Sequence, residues 1–167
     1  MSVTTDIAKI KHQEQALRFK KFDEADAWEL GIQMRKAAAQ GQIPLAIDIR
    51  IVDRQLFYAA LSGTSADNAE WIRRKANSVR RFQISTYLLN RQTEASGKAF
   101  GTERGINIMD FANHGGGFPV HIIGTGVVGS ITVSGIPQRD DHGFVVEQLC
   151  KFLKQDHAGL ALGPEKK

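Results

Sequence analysis

The chain is written in two hydrophobic periods. Ile7, Ile10 and Leu17 share one face at helical spacing, which predicts an amphipathic helix over residues 4–18. Ala27, Leu30, Met34, Ala37 and Ala38 repeat that spacing behind Asp23, a suitable N-cap, and Gly41 and Pro44 end this second helix. Ser65 can cap a third helix running to about Arg91, striped by Ala69, Ile72, Ala76 and Val79. Asp141 can cap a last one carrying Val145, Leu149, Phe152 and Leu153.

Between these helices the period falls to two. Leu45, Ile47, Ile49 and Ile51 make one apolar face, with Asp48 and Arg50 placed to pair on the other. Leu56–Leu61 reads as the returning strand, and Val120–Ile123 and Val127–Ser134 as a second hairpin turning at Gly124-Thr125-Gly126. Arg18–Phe22 alternates briefly, an edge strand with its lysines in water. Residues 92–113 are interrupted by Gly97, Gly101 and Gly105, with room for a helical turn near Ile106–Ala112. The tail from His157 reads as mobile. Adjacent antiparallel strands with helices packed on them give an α+β fold. Residues 1–156 form one domain and 157–167 a C-terminal tail.

Composition narrows the class only slightly. An apolar fraction of 42% and a charged fraction of 24% suit an ordinary globular domain. The net charge of +4 admits an anionic small ligand. Nucleic acid is not expected, because the cations of the third helix lie at nearly every angle instead of forming a stripe. Cys150 is the single cysteine, so no internal disulfide or thiolate cage is possible, and its apolar surroundings place it in the core. The N-terminus lacks a signal-peptide core and no apolar run can span a membrane, so the cytoplasm is the expected compartment.

Half of the 16 glycines fall between His114 and Leu149. Gly115-Gly116-Gly117 is stopped by Phe118-Pro119, and Gly124-Thr-Gly-Val-Val-Gly129 matches a dinucleotide fingerprint. That fingerprint must open a helix onto a pyrophosphate, whereas here Ser130–Ser134 continues as a strand, so a tight turn is the better reading. No histidine pair has zinc-helix spacing, and no metal centre is expected. His114 beside the triglycine and His142 behind Asp140-Asp141 supply imidazoles for an anion or iron site if their loops converge. Lys75 and Arg80 are the cations of the third helix able to enter a pocket.

The segments Gly115-Gly-Gly-Phe-Pro119, Gly126-Val-Val-Gly-Ser-Ile-Thr-Val-Ser-Gly135 and Pro137-Gln-Arg-Asp-Asp-His142 closely resemble a haem-degrading-domain family found in bacteria and fungi. That family is related to GlcG, the PduO C-terminal domain and the secreted haem-binding protein HbpS. The hairpin Ile51–Tyr58 and the helix opening Asn68-Ala-Glu-Trp-Ile-Arg-Arg-Lys75 are similar too, so the resemblance spans residues 5–155. Gln55 departs from it, standing where GlcG-like chains tend to have glycine. The resemblance implies a profilin-like, three-layer α/β/α fold with an antiparallel sheet of about five strands, and assembly into dimers or rings of dimers. It implies a ligand pocket lined by Gly116, Gly117, Phe118, Pro119, Gly135, Gln138, Asp141 and His142.

Three functions compete on this reading. The first is a small-molecule-binding protein for haem or another tetrapyrrole, with Phe118 and Ile136 as walls and Lys75 or Arg80 meeting the propionates. The second is an enzyme degrading haem or processing a small acid, with His142 beside Asp141 as the acid–base group. The third is a structural or adaptor oligomer.

Overall fold

The computed structural model describes residues 2–164. Four antiparallel strands, β1 (Ala46–Ile51), β2 (Arg54–Ala60), β3 (Gly117–Ile122) and β4 (Gly126–Ser134), form one sheet in the order β2-β1-β4-β3. Each hairpin is local, and β1 joins the two by pairing with β4, Ile47 opposite Val133 and Ile49 opposite Ile131. The first hairpin turns at Val52-Asp53, with Val52 at φ 53°, so β2 starts at Arg54, earlier than the alternation suggests.

Helices cover both faces. α2 (Glu24–Gln40) and α5 (Gln138–Leu153) bury Leu30, Met34, Val145 and Leu149 against Ile47, Ile49, Phe118, Val120, Ile131 and Val133. α3 (Ala66–Phe82) crosses β4, β3 and β1 on the other face, where Asp48, Ser130, Thr132 and Ser134 give the interior a polar character. Arg50 Nε donates to Asp48 at 2.7 Å, and Gln55 Nε2 donates to its second carboxylate oxygen. α1 (Val3–Ala16) packs on α4 (Thr86–Ser96) through Ile10, Tyr87 and Leu88. The result is the expected three-layer fold.

Four expectations change. α5 starts at Gln138 behind Pro137, so Asp141 lies inside the helix and does not cap it. The strand expected at Arg18–Phe22 contributes one parallel bridge, Phe19 to Ile122, so the sheet has four strands instead of about five. Few residues separate the end of α1 from Asp23, which caps α2, and the segment spends them burying Phe19 and Phe22 edge to face at 4.7 Å. The third helix breaks at Gln83, whose φ is 57°, and Ser85 caps α4 by accepting from Leu88 N. Residues 157–160 of the expected tail form helix α6 (His157–Leu160), anchored by buried Leu160. Residues 165–167 of that tail lie outside the described residues.

The triglycine is packed tightly. A Cβ at Gly115 would meet the Gln138 carbonyl oxygen at 2.0 Å, and one at Gly116 (φ 115°) would meet that of Val133 at 2.5 Å. These residues are glycine because backbone approaches backbone there. Gly31, inside α2, has a related cause: the Phe57 ring lies where its Cβ would be, with Cγ at 2.3 Å. Helix propensity alone favours alanine at a helix interior by about 1 kcal/mol. Here overpacking, worth roughly 1–3 kcal/mol, works the other way. Gly31→Ala is expected to lower stability by about 1 kcal/mol or more in urea unfolding.

Candidate functional site

A cleft of about 260 Å³ opens where the N-terminal half of α3 meets the end of β4 and the start of α5. The spacing of four between Asp67, Trp71 and Lys75 places them on one face of α3, directed at this cleft together with Asn68. His114 enters from the loop before β3, and Ser134, Gly135, Ile136, Gln138 and Asp141 complete the lining. Ser65 and Asn68 form the capping box that starts α3, and the Asn68 amide also donates to Ser134 Oγ at 3.3 Å.

The floor is an ion pair. Lys75 Nζ donates to Asp141 Oδ2 and to the Val133 carbonyl, both at 2.9 Å, and each side chain is 3% exposed. Asp141 Oδ1 also accepts from Ile136 N at 3.3 Å. Burial opposes both charges: it pushes the Asp141 carboxyl up to about 6, with Lys75 pulling the other way, and it lowers the Lys75 ammonium. Gly116 makes the pair possible, since a Cβ there would lie 2.8 Å from Nζ.

The wall is aromatic. Trp71 donates its indole N–H to Asp67 at 2.9 Å. The Arg74 guanidinium lies over its ring at 4.6 Å, and His114 meets it edge-on at 4.8 Å. Burial first, then Lys75 and Arg74, lower the His114 pKa, so its imidazole is neutral at physiological pH.

Of the residues expected from the sequence, Lys75, His114, Gly135, Ile136, Gln138 and Asp141 line the cleft, and Gly116 backs its floor. The rest lie elsewhere. Gly117 is wedged under Thr86 and Val79, and Pro119 belongs to β3. Phe118 is buried in the main core. Arg80 stands near the other end of α3, paired with Asp53 of the first hairpin. His142 is one residue from Asp141, but about 100° of helical rotation turns it into the interior. There it packs against Tyr87 and Phe118 at ring distances of 5.1 and 6.0 Å.

The His142 tautomer follows from its neighbours. Gln13 Nε2 donates to the Leu160 carbonyl, so Gln13 Oε1 accepts, and His142 Nε2 at 2.8 Å carries the proton. Nδ1 is buried without a partner, and burial brings the pKa down to about 3. An imidazole so enclosed cannot serve a solvent-facing ligand as the expected acid–base group. Sequence reasoning missed Asp67, Asn68, Trp71 and Ser134 as lining residues, although the four-residue spacing ending at Lys75 is a readable signal.

A larger cavity, about 650 Å³, lies on the outer side of α5; of the expected residues only Ile136, which also lines the smaller cleft, borders it. Two of its charged side chains are already engaged, Arg139 by Asp6 and the Gly163 carbonyl, and Glu147 by Lys151.

Two predictions follow from the buried charges. Lys75→Met strands a buried carboxylate and is expected to cost about 3–5 kcal/mol, whereas Lys75→Met with Asp141→Leu recovers most of the loss, as read by denaturant midpoints. For His142, the folded pKa lies below the unfolded one. Between pH 6.5 and about 3 the unfolded chain therefore binds the extra proton, and stability falls as pH falls. Asp141 works the other way between 3.8 and about 6, where the folded state holds the extra proton. Comparison with His142→Phe isolates the histidine: from pH 7 to pH 5 wild type should lose roughly 2 kcal/mol more than the variant in urea unfolding.

Comparison with known proteins agrees with this architecture. Residues 22–150 match the family model described as haem degrading protein HbpS-like. The UPF0303 protein mlr5144 of Mesorhizobium japonicum is 46% identical over 165 residues, covering 99% of both chains. A UPF0303 protein of Burkholderia ambifaria is 48% identical over 162 residues, covering 97% of this chain and 98% of that one. Among solved structures, the Ybr137w protein superposes with a TM-score of 0.82 at 25% identity, over 92% of this chain and 93% of that one. The PduOC:heme complex gives 0.66 at 18% identity, over 78% and 94%, a likeness of fold. With its sheet, its glycine-packed loop and its sequence all in agreement, the chain belongs to the HbpS-like haem-degrading protein family.

Proposed function

We propose that this chain is an oligomeric cytoplasmic small-molecule-binding protein whose ligand enters the cleft between α3 and the start of α5, with haem as the candidate ligand. The observation that supports it is the placement of a neutral imidazole, His114, edge-on to Trp71 above a buried ion pair. The family description and the haem-bound PduO relative point to the same ligand class.

The residues fit part of a haem. Neutral His114 is a suitable iron ligand, and Trp71 and Ile136 offer apolar surface. Lys75, expected to meet a propionate, is already engaged by Asp141 and Val133. The cleft also falls below the roughly 300–1,000 Å³ typical of ligand pockets, so a macrocycle would be gripped by one edge with the remainder outside. Iron in the bound group would supply the redox chemistry; the chain would supply the imidazole and the aromatic wall.

Haem titration followed by the Soret band tests the reading. A saturable shift is expected in wild type, and His114→Ala should weaken binding by about tenfold or more. No shift, or equal affinity in the variant, would overturn it.

Self-association is supported by the exposed Trp28 and Ile32 of α2 and Tyr58 of the adjoining edge strand β2. No helix among the described residues is long and apolar enough to cross a membrane. Light scattering is expected to show a dimer or larger at micromolar concentration, and Trp28→Glu with Ile32→Glu should shift it toward monomer. A wild-type monomer would remove this part of the proposal.

A further inference from the structure

We propose that the floor of the cleft captures a small neutral carbonyl compound, an aldehyde or ketone, as a covalent imine on Lys75, with Asp141 moving the protons. The inference rests on reading this cleft as a ligand site, and it goes beyond haem by assigning a reaction to residues too deep for a macrocycle.

Four observations converge. Lys75 belongs to the lining, and its Nζ is held 2.9 Å from a carboxylate that can both give and take a proton. Gly116 leaves room for Nζ to reach this carboxylate, since a Cβ there would lie 2.8 Å from it. Trp71 and Ile136 provide apolar surface, and the Lys75 and Asp141 charges cancel, which favours a neutral ligand over an anion. Burial acts against both ions, lowering the Lys75 ammonium and raising the Asp141 carboxyl, which eases transfer of the shared proton from amine to carboxyl when the carbonyl compound arrives.

The proton inventory closes with these two groups. The neutral amine attacks the carbonyl carbon: the N–C bond forms, the C=O π bond breaks, and the oxygen takes the proton of the Asp141 carboxyl. The nitrogen returns one proton to the carboxylate, leaving a carbinolamine. Asp141 then protonates the hydroxyl, the C–O bond breaks to release water, and the nitrogen lone pair closes the C=N bond. The product is an iminium ion paired with the Asp141 carboxylate, replacing the original ammonium. No oxidant or reductant is consumed.

The test is reductive trapping on wild-type protein. The chain is treated at neutral pH with limiting propanal and cyanoborohydride, and the alkylated lysines are mapped by peptide mass spectrometry. Lys75 is expected to be modified about tenfold faster than exposed lysines such as Lys36 or Lys98, despite its burial. Asp141→Asn should slow labelling of Lys75 by about a hundredfold while exposed lysines react as before. Labelling of Lys75 no faster than the exposed lysines, in folded wild-type protein, overturns the inference whatever the variant does. A haem titration on the same preparation separates the failures: a Soret shift with Lys75 unlabelled defeats the imine alone, whereas neither signal defeats the ligand site as well.

Discussion

The contact between Lys75 and Asp141 joins elements that sequence order keeps far apart: α3 on one face of the sheet and α5 on the other. An ion pair at this depth is costly unless its remaining hydrogen bonds are met, and the Val133 carbonyl and Ile136 amide meet them. Both partners come from the chain at the end of β4. The pair therefore fixes where α5 departs from the sheet as well as closing the cleft floor. Gly116 and Gly135 serve the same junction, one leaving room for the ammonium and the other letting the strand end approach the Pro44 carbonyl.

Much of the fold was legible because it is local. Alternation in Leu45–Val52 and around Gly124-Thr125-Gly126 identifies the hairpins, and Asp23 and Ser65 mark helix starts by capping chemistry that needs no tertiary information. The break at Gln83 was not legible: no glycine or proline announces it, and a left-handed glutamine is tolerated only because Ser85 immediately restarts the helix. The short pairing at Phe19 was also hidden, since alternating residues specify a strand but not how many of them find a partner.

The site was partly legible for a related reason. Residues around the triglycine and the Pro137–His142 turn were expected to converge, and several do. The expectation erred where it treated neighbours as equivalent. α5 begins at Gln138, not at Asp141, so Asp141 and His142 are already on a helical wheel and face different environments. One becomes the floor of a cleft and the other a buried base against Tyr87. Similarly, Lys75 and Arg80 could not be ranked from sequence, because only the crossing of α3 over β4 decides which end of the helix meets α5.

Pro119 illustrates a different kind of constraint. Val133 N bonds the Gly116 carbonyl, and strand alternation from that pair turns the Pro119 nitrogen toward the outer edge of β3. That edge therefore lacks one donor where a foreign strand would need it, and Phe19 occupies the next positions by bonding His121 and Ile123. Edge-on polymerisation is blocked at β3 by covalent structure and not by charge alone. Any strand-mediated growth of the sheet is thereby confined to β2, so such growth stops at a closed pair of subunits and cannot run on into a fibre.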